Sequence, residues 1–105
     1  SLADPKVAVS TTVQVAYGTD VRALKPKLEA AMAEVPRVLD DPAPNCQLAN
    51  FAADGMDLKL SFWVGDPENG QGNVRSDVNL AVLDLLNAQG VQIPYPQRVL
   101  RQSAP

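Results

Sequence analysis

The chain contains no histidine and only one cysteine and one tryptophan among its 105 residues. Without imidazole it has no side chain whose ordinary pKa sits near neutrality, and its carboxylates are spread along the chain rather than paired, so a general acid–base centre has nothing to be built from. Cys46 alone cannot close an internal disulfide, and one thiol with no histidine cannot hold structural zinc. It stands at the start of a predicted strand with no evident base beside it, which fits an inert buried thiol better than a nucleophile. These absences argue against an enzyme, and no catalytic, metal-binding or cofactor-binding residues are expected. A single thiol also fits a reducing, cytosolic setting.

Positive charge is equally thin. Nine Lys and Arg are scattered along the chain in clusters of no more than two, and the net charge is −3, so there is no electrostatic footprint for nucleic acid or for an anionic membrane surface. No run approaches the roughly 20 apolar residues that span a bilayer, and the N-terminus lacks a signal-peptide pattern, so the chain itself is expected to be soluble. Ser1-Leu2-Ala3-Asp4-Pro5 has no initiator Met and reads as the start of a piece of something larger.

What is present is enough apolar material, 46% of residues against 20% charged, for a single domain spanning residues 1–105. Residues 7–17 place Val7, Val9, Thr11, Val13, Val15 and Tyr17 on one face and small or polar residues on the other, the alternation of a half-buried strand. Gly18-Thr19-Asp20 ends it and caps a helix running to about residue 35, with Val21, Leu24, Leu28, Ala31, Met32 and Val35 on one stripe. Pro26 falls beyond the first turn and removes one helical hydrogen bond. A loop stiffened by Pro36, Pro42 and Pro44 follows. Asp40 and Asp41 there could be read as cation ligands, but a hard cation needs several converging oxygens.

Residues 46–53 and 56–65 flank Asp54-Gly55, a dipeptide suited to a two-residue hairpin turn. That register sets Ala53 opposite Met56, Phe51 opposite Leu58, Ala49 opposite Leu60 and Gln47 opposite Phe62. Trp63 then falls on the polar face, near the sheet rim or under another surface. Residues 66–73 read as a surface loop without a phosphate-cradle signature. A second helix is predicted from a cap at Ser76 or Asp77 to about Gln89, closed by Gly90, with Val78, Ala81, Val82, Leu85 and Leu86 as its core stripe. Leu80 and Leu83 lie away from that stripe and make a small second apolar strip, a candidate contact with another subunit or domain. The chain then leaves through Val91-Gln92-Ile93-Pro94-Tyr95-Pro96-Gln97-Arg98. Pro94 and Pro96 remove two backbone donors, so this short strand can sit at a sheet edge and redirect the chain but cannot lie mid-sheet.

Strand, helix, strand, strand, helix, short strand is the order of an α+β ferredoxin-like β-α-β-β-α-β sandwich, with both helices on one face of a mainly antiparallel sheet. Such a fold hosts many functions. One reading is a free-standing regulatory module binding a small ligand at a dimer interface, with residues 66–73 as its contact loop.

Five motifs favour a different reading. Tyr17-Gly18-Thr19-Asp20, Pro36-Arg37-Val38-Leu39 with Asp41-Pro42-Ala43-Pro44, Phe62-Trp63-Val64, Arg75-Ser76-Asp77-Val78-Asn79 and the exit from Gly90 to Arg98 occur in the order and spacing that resembles the small-conductance mechanosensitive channel family. The resemblance covers residues 7–98 and points to the C-terminal α/β domain of that family's cytoplasmic vestibule. It implies a homoheptameric channel at the cytoplasmic face of the bacterial inner membrane that releases solutes in hypo-osmotic shock. The membrane-spanning pore helix and middle β domain would lie before Ser1, and the fragment alone would be a monomer or dimer. It further implies that Pro94, Tyr95, Pro96 and Gln97 form the exit segment, that Arg75, Asp77 and Asn79 open the second helix, and that all of these roles are structural. Replacing Leu80 with Glu should alter the assembly state seen by light scattering; an unchanged state would remove Leu80 from any subunit contact.

Overall fold

The computed structural model describes residues 5–94. Strand β1 (Val7–Val15), helix α1 (Val21–Ala33), strands β2 (Asn45–Phe51) and β3 (Met56–Val64), and helix α2 (Gln71–Ala88) follow in that order, with a 3-10 turn at Pro67–Asn69 before α2. The sheet is antiparallel with order β1-β3-β2. Its core face is set by β3, whose Met56, Leu58, Leu60, Phe62 and Val64 are all buried. Val9 and Val15 join them from β1, Leu24, Leu28 and Met32 from α1, and Val74, Val78, Val82 and Leu86 from α2. Full burial of a side chain such as Phe62 contributes about 1.5–3 kcal/mol. The α+β class and the two helices on an antiparallel sheet are therefore as the sequence predicts.

Helix α1 starts where its cap predicts: the Asp20 carboxylate accepts the Ala23 N–H at 3.1 Å. Pro26 lies inside the helix and faces solvent. The proline-rich connection that follows is pinned by Val35, Val38 and Pro44, all buried, and by the Leu39 N–H donating to the Trp63 carbonyl at 2.9 Å. Val38 also forms an isolated antiparallel bridge with Val64, extending the line of β2 past its own start.

Three local expectations are corrected. The hairpin does not turn on two residues: Phe51 pairs with Met56 and Asn50 with Asp57, the Ala52 N–H donates to the Gly55 carbonyl at 2.8 Å, and a bulge interrupts the register between Leu48 and Asn50. Cys46 opposite Leu60, not Gln47 opposite Phe62, is therefore the pair that enters the core. Helix α2 begins at Gln71, ahead of the predicted Ser76 or Asp77 cap, because burying Val74 outweighs the poor helix propensity of Gly72 and Asn73. Its C-terminus is as predicted: Gly90 has φ +68°, the Gly90 N–H donates to Asn87, and the Val91 N–H to Leu86 at 2.9 Å, a Schellman close.

The third correction concerns the exit. Among the described residues there is no fourth strand. One backbone bond, from the Ala16 N–H to the Gln92 carbonyl at 2.9 Å, ties the exit to the end of β1. The chain then passes the hairpin, where a Cβ on Gly55 would lie 2.5 Å from the Val15 carbonyl oxygen and 2.8 Å from Pro94 Cγ. Gly55 thus serves the fold through its missing side chain. Tyr95, Pro96 and Gln97 lie outside the described residues. Gly55→Ala should destabilise the domain by about 1–3 kcal/mol in a denaturant titration and speed exchange of the Ala16 amide relative to the amides shared by β1 and β3; unchanged exchange at Ala16 would show that the hairpin does not hold the exit.

Candidate assembly surfaces

The chain enters and leaves at opposite ends of the sheet. Val7, at the start of β1, lies opposite Val64, whereas Val15, Met56 and Phe51 share the far end with Gln92 and Pro94. At the entry end Arg37 clamps the loop before α2. Its Nε lies 3.1 and 3.0 Å from the two Asp66 carboxylate oxygens, and its guanidinium also donates to the Asp66 carbonyl at 3.0 Å. Asn69 adds a bond to the same carboxylate at 3.2 Å. The Arg37 and Asn69 hydrogen bonds hold the Asp66 carboxyl below its ordinary pKa. The segment read as a surface loop is folded into a 3-10 turn and the first turn of α2, with Asp66 already committed within the domain.

At the free edge of β2 the Glu29 carboxylate accepts the Cys46 N–H at 3.0 Å while pairing with Lys25 at 2.7 Å. Burial pushes the Glu29 pKa upward, but the Lys25 and Cys46 hydrogen bonds outweigh it and the net shift is downward. The Cys46 thiol is driven up to about 11, first by burial and then by the nearby Glu29 charge, so it stays protonated and inert at neutral pH.

The sheet face away from the helices carries Ala8, Ser10, Thr12 and Gln14 beside Trp63, Ser61, Lys59 and Asp57. Gln14 donates to Asp57 at 3.0 Å across the strands. Trp63 is half-buried there, opposite Ala8. At the exit end Tyr17 and Phe51 stack with ring centroids 6.5 Å apart, and the Tyr17 hydroxyl donates to the Ala52 carbonyl. A cleft of about 490 Å³ opens nearby between the start of α1 and the end of α2, bridged by Lys27 donating to Gln89 at 2.8 Å.

Leu80 and Leu83 are 56% and 43% exposed on α2, as their position off the core stripe predicts. Arg75 and Asp77 are exposed, and Asn79 accepts a hydrogen bond from the Thr11 hydroxyl at 2.9 Å; all three sit within α2 rather than at its opening. Pro94 lies at the hairpin, against Gly55. The Arg37 clamp and the Glu29 cap escaped the sequence reading, since they join residues 29 and 17 positions apart through loops and edges that no periodicity marks. Among the described residues no three acidic or thiol side chains converge to hold a metal.

A three-stranded antiparallel sheet with two helices on its apolar face and polar side chains on the other defines a two-layer α+β domain. The chain belongs to the family described as Mechanosensitive ion channel MscS, C-terminal, which matches residues 9–93. That is a family of channel domains rather than of enzymes. Among solved structures it is similar to the crystal structure of Helicobacter pylori MscS in its closed state, with a TM-score of 0.81 and 16% identity over 95% of this chain and 39% of that one. It is also similar to the cryo-EM structure of Arabidopsis thaliana MSL1, with a TM-score of 0.71 and 14% identity over 88% of this chain and 34% of that one. The chain thus spans between a third and two fifths of the length of these channels. No curated protein sequence gives a match. Among the described residues no helix is long and apolar enough to cross a membrane.

Because the Asp66 pKa is lowered in the folded state, its contribution is present above the ordinary carboxylate range and is lost as pH falls through the folded value. Arg37→Ala should therefore lower the melting temperature at neutral pH and converge with the parent in acid, below about pH 4. A melting-temperature difference that persists unchanged into acid would assign the effect of Arg37 to packing instead.

Proposed function

We propose that this domain forms part of the wall of a cytoplasmic vestibule in a mechanosensitive channel. In this reading the channel is a homoheptamer at the cytoplasmic face of the bacterial inner membrane, its membrane-spanning part precedes Ser1, and the domain contributes to cage assembly and to solute passage in hypo-osmotic shock. The family match over residues 9–93 carries the proposal. The geometry supports it: a chain that enters at one end of the sheet and leaves at the other suits a wall element placed in line between two neighbouring parts. Pro94, followed by Tyr95, Pro96 and Gln97, would hand the chain onward, and Leu80 with Leu83 would supply apolar contact to other copies.

The test uses the longer protein that contains this domain. Expressed in bacteria stripped of their own tension-gated channels, it should raise survival of an abrupt drop in osmolarity and give pressure-activated currents in excised patches, and the detergent-solubilised particle should have the mass of seven subunits. Absence of currents from protein that reaches the membrane would overturn the channel reading, and a different mass would overturn the heptamer.

A further inference from the structure

Among the described residues β1 presents an unguarded edge. The Ala16 N–H points away from β3 and is met by Gln92. Strand alternation directs the N–H and C=O groups of Ala8, Ser10, Thr12 and Gln14 to the same side, and among the described residues no other backbone hydrogen bond outside the sheet reaches them. The opposite edge of the sheet is protected: β2 is shorter, it is broken by the irregularity between Leu48 and Asn50, and the Glu29 carboxylate covers its Cys46 N–H. Edge strands are ordinarily blunted by charge, proline or bulges. Strand β1 has none of these; its sequence is VAVSTTVQV, uncharged and mostly β-branched.

The open stretch runs from residue 8 to residue 14, bounded beyond by Gln92, and its midpoint is Thr11. About that midpoint the sequence is self-complementary. Turned end for end on a second copy, Val9 meets Val13, Ser10 meets Thr12, Ala8 meets Gln14 and Thr11 meets itself. Core-face residues then fall beside core-face residues and small polar residues beside small polar ones, the pairings that stabilise antiparallel sheets. Ala8 with Gln14 and Ser10 with Thr12 would be hydrogen-bonded pairs, each exchanging both backbone bonds. Asn79 reaches Thr11 from α2, which places that flank of α2 over β1.

We propose that residues 8–14 of β1 form a docking edge for the same strand of a second copy of this chain, paired antiparallel about Thr11 and joining two three-stranded sheets into one. Such a two-fold contact cannot repeat around a ring with an odd number of subunits, so it is separate from the ring contacts of a heptamer and does not rest on the channel reading.

The experiment uses this chain. Light scattering should show a concentration-dependent monomer–dimer equilibrium. Thr12→Pro removes an outward donor while leaving the bonds to β3, and should weaken the dimer by at least about tenfold; Ser10→Lys with Thr12→Lys sets like charges opposite and should do the same without touching the backbone. Thr11→Cys should cross-link to a dimer under mild oxidation, since Thr11 faces its own copy at a non-hydrogen-bonded site, whereas Ser10→Cys, offset from its symmetry mate, should not. A monomer at all concentrations, a dimer indifferent to both the proline and the lysine variants, or equal cross-linking of the two cysteine variants would each overturn the proposal. So would Ser10 and Thr12 amides that are protected in a monomer and become exposed when residues 95–105 are removed, because the edge would then be covered from within.

Discussion

Strand β3 holds the domain together because it is paired on both sides and lined on one face by nothing but apolar side chains. Met56, Leu58, Leu60, Phe62 and Val64 point to the helices, and Asp57, Lys59, Ser61 and Trp63 point the other way. A slip of one residue would turn Asp57 and Lys59 into the core, so the register of β3 is specified by the cost of burying charge as much as by the gain from burying Phe62. Once β3 is placed, β1 can pair with it only with Val9 and Val15 inward, and α1 and α2 have a single apolar surface to cover.

Elements whose sequence period matches this surface were legible beforehand. The alternation in β1 and β3, the Asp20 cap, the Leu24, Leu28 and Met32 stripe and the Gly90 close all appear where local chemistry puts them. Local chemistry failed where a distant contact decided. Asp54-Gly55 carries the signature of a tight turn, yet Gly55 is not among the glycines with positive φ; it is needed because Val15 and Pro94 leave no room for a Cβ. Ser76 and Asp77 look like caps, yet Val74 has a place in the core and draws the helix back to Gln71. The surface site divides the same way. Leu80 and Leu83 could be found on a helical wheel, whereas the Arg37 clamp on Asp66 depends on two loops meeting, which a single sequence does not encode in any period.

The absence of a fourth strand among the described residues connects the two ends of the functional reading. A chain that turned back along β1 after Gly90 would have sealed the sheet and returned to the entry end. Instead it takes one hydrogen bond from Ala16 and moves past the hairpin. Among the described residues the same departure leaves the β1 edge unpaired from residue 8 to residue 14 and delivers the chain to the far end, so both features follow from one event.

The through-going path also sets how the domain bears tension along its own backbone. A pull applied at Val7 and resisted at Gln92 and Pro94 acts parallel to β1, while the bonds between β1 and β3 run across it. The load is then shared in shear by the whole ladder from Val7 to Val15 rather than peeling one bond at a time. Had Val7 and Pro94 lain at the same end, the identical strands would have opened like a zipper.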